Sequence, residues 1–307
     1  MTRIGDIGTP ALITKDIDIG YYVSLARISL FDKVLPEYMY FYIQTPQFQH
    51  ELWKKTIHVA FPKKINKEDI GECTVKLFST NKQKEISRIL VTIESRILTQ
   101  KKIINNYESL INGIINDCFS EKGLYKEGTL VSLKDVLLEG NKNPVDTKKY
   151  RKITIKLNKE GVVFSNITRE MSDTRPFYIR EKGELIIGKQ NYFNGSVAIL
   201  SEEYDQTICS NAIMSFKIKD IYNRDFIYHC VSNDLFLKYR SHLANGTGQK
   251  ELSEKDFLLF NIKLPEKYIQ EKVARKINIL TQKLNIEKKI LFLYEKQKQY
   301  LLNKLFI

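Results

Sequence analysis

The sequence predicts an α+β protein made of two globular segments, each feeding one long amphipathic helix. Two observations carry the prediction. Residues 81–119 and 268–306 both show a sustained heptad repeat of apolar positions. The remainder has a dense strand-and-turn texture without the regular alternation of long helices that a doubly wound sheet requires.

Steps of four and three through the earlier stretch meet Ile86, Leu90, Ile93, Ile97, Gln100, Ile104, Tyr107, Ile111, Ile114 and Cys118. The same steps through the later stretch meet Val273, Ile277, Leu280, Leu284, Glu287, Leu291, Tyr294, Lys298, Leu301 and Leu305. An apolar residue about every 3.5 positions keeps one seam turned toward a partner helix, which is the coiled-coil pattern. The two series run a constant 187 positions apart, Ile86 against Val273, and share a polar break at Gln100 and Glu287 and a tyrosine at Tyr107 and Tyr294. Lys101-Lys102-Ile103 recurs as Lys288-Lys289-Ile290. Matched register with matched exceptions marks an internal duplication.

Before the first helix, Ala11-Leu12-Ile13, residues 21–31 and residues 74–78 read as strands. Pro36 opens an aromatic helix over 37–50, with Tyr38, Phe41, Tyr42 and Phe48 as its core face. The duplication extends into this region: Gly8-Thr9 matches Gly195-Ser196, Glu37-Tyr38 matches Asp225-Phe226, and Lys63, Asp69 and Lys76 match Lys250, Asp256 and Lys263. Residues 1–120 thus repeat residues 188–307, whereas 121–187 have no earlier counterpart. The expected organisation is a truncated first domain (1–79), a central long helix (80–120), a complete second domain (121–265) and a C-terminal long helix (266–307). In the second domain, Val162-Val163-Phe164 and Glu184-Leu185-Ile186-Ile187 read as buried strands.

The balance of 49 Lys+Arg against 36 Asp+Glu gives a net charge of +13, which suits a polyanionic partner, nucleic acid first and a membrane surface second. Cys73, Cys118, Cys209 and Cys230 are scattered without CxxC pairing, against a disulfide framework or a zinc knuckle. No apolar run approaches membrane-spanning length and the opening residues are unlike a signal peptide, so an intracellular protein is expected. Catalytic constellations are not in evidence. Gly246-Thr247-Gly248-Gln249-Lys250 lacks the spacing of a phosphate-binding loop, and Asn143-Pro144-Val145-Asp146 reads as a turn. His50, His58, His229 and His242 lack paired ligand spacing, and Glu170 and Glu202-Glu203 have no partner in sequence.

A globular segment that closes on Gly246-Thr247-Gly248-Gln249-Lys250-Glu251-Leu252, then Asn261-Ile262-Lys263-Leu264-Pro265, then Gln270-Glu271-Lys272-Val273-Ala274 opening a long helix resembles the specificity subunit of Type I restriction-modification systems. The resemblance covers essentially the whole chain, present as two units. Thr2-Arg3-Ile4-Gly5-Asp6-Ile7-Gly8 is similar to a motif that lies inside a target recognition domain of that family. The resemblance implies two target recognition domains, each gripping half of a bipartite double-stranded DNA site, with the long helices packed antiparallel between them. About 39 helical residues at roughly 1.5 Å rise make a rod on the order of 58 Å. It further implies two modification subunits docked on the helices and domains, restriction subunits joining them, and a cytoplasmic setting in a bacterial or archaeal type of cell. S-adenosylmethionine, ATP and Mg belong to those partners, and the specificity subunit itself is no enzyme.

The expected DNA contacts lie on polar loops of the second domain. Lys189, Gln190, Asn191, Tyr192 and Asn194 offer amides that match adenine and a lysine for guanine or phosphate. Thr247, Gly248, Gln249 and Lys250 offer backbone amides and polar side chains, and Arg175 is a guanine reader. In the first domain Lys63, Lys64 and Arg3 complete the set, although Phe61-Pro62 stands where Gly248-Gln249 stand later. The expected function is DNA recognition that directs adenine methylation and cleavage by partner subunits. The competing expectation is a helical scaffold, or an inactive recombination cassette, that binds modification subunits without reading a full bipartite site. Self-association through the truncated domain is a further expectation.

Overall fold

The computed structural model describes residues 1–15, 18–119, 123, 128–165, 175–241 and 251–307. In chain order the helices are α1 (Pro36–Ile43), α2 (Pro46–Lys55), α3 (Lys67–Gly71), α4 (Thr80–Phe119), α5 (Leu133–Val136), α6 (Arg224–Ser232), α7 (Asp234–Arg240), α8 (Glu254–Leu258) and α9 (Lys267–Lys304). The strands are β1 (Thr129–Ser132), β2 (Leu137–Glu139), β3 (Ile153–Ile155), β4 (Val162–Phe164), β5 (Phe177–Arg180), β6 (Leu185–Gly188), β7 (Val197–Ile199), β8 (Thr207–Ser210), β9 (Ile213–Ile218) and β10 (Asn261–Leu264). These elements form two units, Met1–Asn106 with Leu284–Ile307, and Tyr107–Lys283.

In the first unit the single helix expected over 37–50 is two. Pro46 has no N–H to return to the Tyr42 carbonyl, and the Thr45 N–H and hydroxyl donate there instead. The same hydroxyl accepts from the Phe48 N–H and caps α2. Tyr38, Phe41, Tyr42, Phe48 and Leu52 then form a core closed by Ile86, Leu90 and Ile93 of α4 and by Leu302 and Phe306. The Phe306 ring lies 5.3 Å from Tyr38 and 5.4 Å from Tyr42.

The two long helices run antiparallel. Lys298 Nζ reaches Glu94 Oε1 at 2.8 Å, and the Gln100 side chain donates to the carboxylate and backbone carbonyl of Glu287. Ile86, Leu90, Ile93, Ile97, Ile104 and Ile111 are buried along α4, with Tyr107 half-buried. Ile277 and Leu284 are buried along α9, while Val273, Leu280, Leu291, Tyr294 and Leu301 are half-buried. At the end of α9 the deepest residues are Leu302 and Phe306, one position beyond the Leu301 and Leu305 of the strict heptad. The reason is that α1, with its tyrosines, becomes a second neighbour there.

The strands expected at 11–13, 21–31 and 74–78 do not form. Only isolated bridges, Thr2 with Leu25, Ile4 with Lys64 and Ile57 with Lys64, occur among the described residues of 1–79. Their counterparts in the second unit explain why. There β7 pairs with β6, β9 pairs with β2 and β6, and β10 pairs with β1. Those partner strands lie within residues 129–188, which residues 1–79 do not duplicate, so the equivalent segments lack a ladder to join.

The second unit is organised on an antiparallel sheet of order β2-β9-β6-β7. Side chains alternate across it. Leu185, Ile187, Val197, Met214 and Phe216 join Phe226, Phe257 and Ala274 on one side. Ile186 and Ala198 join Ile153, Ile155, Leu200 and Cys209 on the other. Both faces are buried, which is why β6 reads as an unbroken apolar run. The second side is covered by the β3–β4 and β5–β8 pairs, linked by a parallel bridge between Lys152 and Ile208.

The duplication recurs in buried detail. Gln83 accepts from Leu35 N at 2.9 Å and donates to the Phe78 carbonyl. Gln270, its equivalent, accepts from Asn223 N at 2.9 Å and donates to the Pro265 carbonyl. Each buried amide ties the start of a short helix to the start of a long one. Gln83→Ala and Gln270→Ala are each expected to cost about 1–3 kcal/mol, because buried backbone groups lose their partners; urea unfolding of the two variants measures this.

His229 of α6 is a second stability determinant. Burial holds its imidazole below the ordinary histidine value, against the opposing effects of Asn278 and Asp225, and its Nε2 is buried without a partner. The folded state therefore disfavours the proton. Its contribution is full above the unfolded value of about 6.5 and declines as pH falls below it. A His229→Gln variant should show a flatter loss of stability over that acidic window.

Candidate nucleic-acid interface

The site grows from the end of β6. A Cβ on Gly188 would lie 2.5 Å from Ser196 Oγ, so glycine lets the chain turn there without displacing the buried Ser196 side chain. Lys189 is then fixed through its backbone, donating to the Ala212 carbonyl and accepting from Leu252 N, both at 3.0 Å. Gln190 and Asn191 follow in exposed positions. The chain next makes a helical turn over Tyr192–Asn194 and leaves it through Gly195 with φ of 78°.

Two adjoining concavities result. One, of about 270 Å³, is lined in part by Lys152, Thr154, Ser165, Arg175, Lys189, Gln190 and Asn191. The other, of about 680 Å³, is lined in part by Asn141, Lys142, Tyr178, Arg180, Lys189, Asn211 and Glu254. Lys189 and Ile213 border both, so the two form one polar groove with Lys189 at its middle. The structure thus brings together Arg175, Lys189, Gln190 and Asn191 out of the residues expected from sequence.

Electrostatics in the groove centre on Glu254, which receives Lys142 Nζ at 2.6 Å and Lys189 Nζ at 3.6 Å. Hydrogen bonds to Glu139 and then to Glu254 raise the Lys142 ammonium above its ordinary value. Partly exposed pairs of this kind are worth no more than about 1 kcal/mol, so a phosphate can draw the lysines away from them. Deeper in the second concavity Arg180 is buried, donating to the Asn141 carbonyl at 2.8 Å and to Cys209 Sγ at 3.0 Å. It braces β5 against the loop after β2. Burial raises the Cys209 thiol, with Arg180 opposing.

One expected contact is corrected, and two more do not line the groove. Tyr192 is fully buried, with its hydroxyl donating to the Val231 carbonyl at 2.5 Å, and belongs to the core beneath the groove. Asn194 is exposed but does not line the groove; its amide donates to Asn191 Oδ1 and its carbonyl accepts from Asn158 N. Arg3 is spent on its own fold, donating to the Val23 carbonyl at 2.8 Å and the Ile65 carbonyl at 2.9 Å. Lys63 and Lys64 are exposed in the first unit. Thr247, Gly248, Gln249 and Lys250 lie outside the described residues. Lys152 was not anticipated, yet the run Lys148-Lys149-Tyr150-Arg151-Lys152, basic with an aromatic inside it, is a visible charge signal.

Among the described residues no cluster of three or more His, Cys, Asp or Glu is placed to hold a metal ion. No helix among them is long and apolar enough to cross a membrane.

The family model described as the Type I restriction modification DNA specificity domain matches residues 126–292. No curated protein matches the chain. Among solved structures, the Type-I restriction-modification system S subunit from M. genitalium aligns with a TM-score of 0.60 at 15% identity, over 90% of this chain and 73% of that one. A structure titled for complex assembly and conformational transition of the type I R-M system aligns with a TM-score of 0.52 at 12% identity, over 90% of this chain and 72% of that one. At these identities the likeness is one of fold.

A Tyr192→Phe variant separates core from interface. It should lose about 1 kcal/mol of stability through the missing hydroxyl, while duplex DNA affinity in a gel-shift titration stays unchanged.

Proposed function

The chain belongs to the Type I restriction modification DNA specificity family, and from that premise we propose that it is the recognition subunit of such a system. The observation that carries the proposal is the basic, amide-lined groove inside the matched span. Lys152 and Lys189 neutralise phosphates of a duplex laid along it, releasing counterions. Gln190 and Asn191 present paired donors and acceptors to adenine, and Arg175 presents its fork to guanine. The chain contributes no chemistry of its own. It directs adenine methylation by two modification subunits and cleavage by restriction subunits, and S-adenosylmethionine, ATP and Mg reside in those partners, in the cytoplasm of a bacterial or archaeal cell.

The helices supply a docking surface for the modification subunits. Outside the seam, Leu98 of α4 and Phe292, Leu293 and Tyr300 of α9 are each more than half exposed, an apolar content beyond what a solvated helix face needs. The same observation favours the second reading, a scaffold that assembles modification subunits without choosing a sequence. Selection from a random duplex pool by the chain with its modification subunits distinguishes the two. An enriched motif supports recognition, and a complex that enriches none supports the scaffold.

For the recognition reading, Lys152→Ala and Lys189→Ala are each expected to lower the slope of log affinity against log salt by about 1 and to weaken all duplexes alike. Asn191→Ala should instead relax preference at one base position by about 1–3 kcal/mol, with the salt slope preserved. Salt titrations against matched and mismatched duplexes measure both.

A further inference from the structure

The segment between Ile57 and Lys64 carries two apolar side chains wholly in water. Val59 is 97% exposed and Phe61 is 103% exposed. Single exposed apolar residues are ordinary, but these two stand at the tip of a firmly seated hairpin. Ile57 N donates to the Lys64 carbonyl at 2.8 Å, and Gly5 N donates to the Lys63 carbonyl at 2.8 Å. Ile65 N donates to the Arg3 carbonyl at 3.0 Å, and the Arg3 guanidinium returns a bond to the Ile65 carbonyl. Folding gains nothing from Val59 and Phe61, because neither covers any part of the core.

Charge around the tip has one predominant sign. Lys54, Lys63 and Lys64 are exposed beside it, against the single carboxylate of Asp6 on the adjoining segment, which accepts from Thr9 Oγ1 at 2.7 Å. The internal repeat adds an independent point: positions 59 and 61 correspond to Gly246 and Gly248. The first copy therefore carries bulk where the second copy carries none. Large apolar side chains on a cation-flanked tip with a hydrogen-bonded base match the wedges that proteins insert between base steps, unstacking and kinking a duplex while lysines hold its phosphates.

We propose that the Ile57–Lys64 hairpin is a DNA-deforming wedge, with Phe61 and Val59 entering a base step of double-stranded DNA and Lys63 and Lys64 contacting the adjoining phosphates. The proposal rests on the DNA-recognition reading and extends it to the first unit. It assigns that unit indirect readout: preference arises from how easily a step unstacks, with no edge hydrogen bonds required.

The test uses the full chain and a mixed-sequence duplex carrying a fluorophore at each end, with affinity and end-to-end energy transfer read together. Wild-type protein should bind and raise the transfer as the duplex bends. Val59→Ala with Phe61→Ala should abolish the added transfer and weaken binding by about tenfold, in the range of lost base stacking, with an unchanged salt slope and melting temperature. Lys63→Ala with Lys64→Ala should lower the salt slope by about 2. Bending and affinity that persist in the Val59→Ala, Phe61→Ala variant overturn the wedge while leaving DNA recognition intact. A wild-type chain that binds no duplex at low salt overturns both.

Discussion

The antiparallel seam between α4 and α9 is the constraint on which the rest depends, and its deepest polar contact helps to set its register. Gln100 is almost fully buried and finds its partner in Glu287. A slip of one helical step would set Gln100 against Leu284 or Leu291 and leave its buried amide unsatisfied, a cost of about 1–3 kcal/mol. Apolar residues supply the adhesion of such a seam, and the polar break supplies its uniqueness. The duplication makes this possible, since both members of the pair descend from the same position of the repeat.

Register in turn fixes which helix end completes which core. Phe306, at the end of α9, packs on Tyr38 and Tyr42 of the first unit. Phe119, at the end of α4, packs on Phe226 of the second, with ring centres 5.1 Å apart. These two contacts are equivalent in the repeat. In the second unit the same framework holds the sheet whose β6 ends at Gly188, and the turn after it delivers Lys189, Gln190 and Asn191 to the groove. The groove is rigid because its backbone is hydrogen-bonded on both sides of Lys189, an arrangement suited to reading a duplex with little loss of freedom.

The legible features of the sequence were the periodic ones. A 3.5-residue period repeated twice with its exceptions needs no knowledge of distant partners, so the helices and the duplication were readable. Strand formation does need such partners. Residues 74–77 and Asn261–Leu264 share a pattern, but only the latter has β1 to pair with. The break between α1 and α2 was present in the sequence as Thr45-Pro46 and was overridden by the aromatic pattern around it. Tyr192 lies in a stretch where Gln190, Asn191 and Asn194 are exposed, and a short helical turn carries its ring inward. Lys152 reaches the groove through a bridge to Ile208, a long-range pairing that no local pattern announces.

The return of α9 to the first unit has a consequence for how the polypeptide is made. A ribosome releases Tyr38, Phe41 and Tyr42 long before it releases Leu302 and Phe306, and the core they share cannot close until the end of α9 has emerged. The intervening unit has its own complete core and is free to fold while the first waits with aromatic surface uncovered. Such non-local closure is intrinsically slow, and the waiting state is the form in which a nascent chain is open to aggregation. For this molecule residues 284–307 decide the fate of the first hundred.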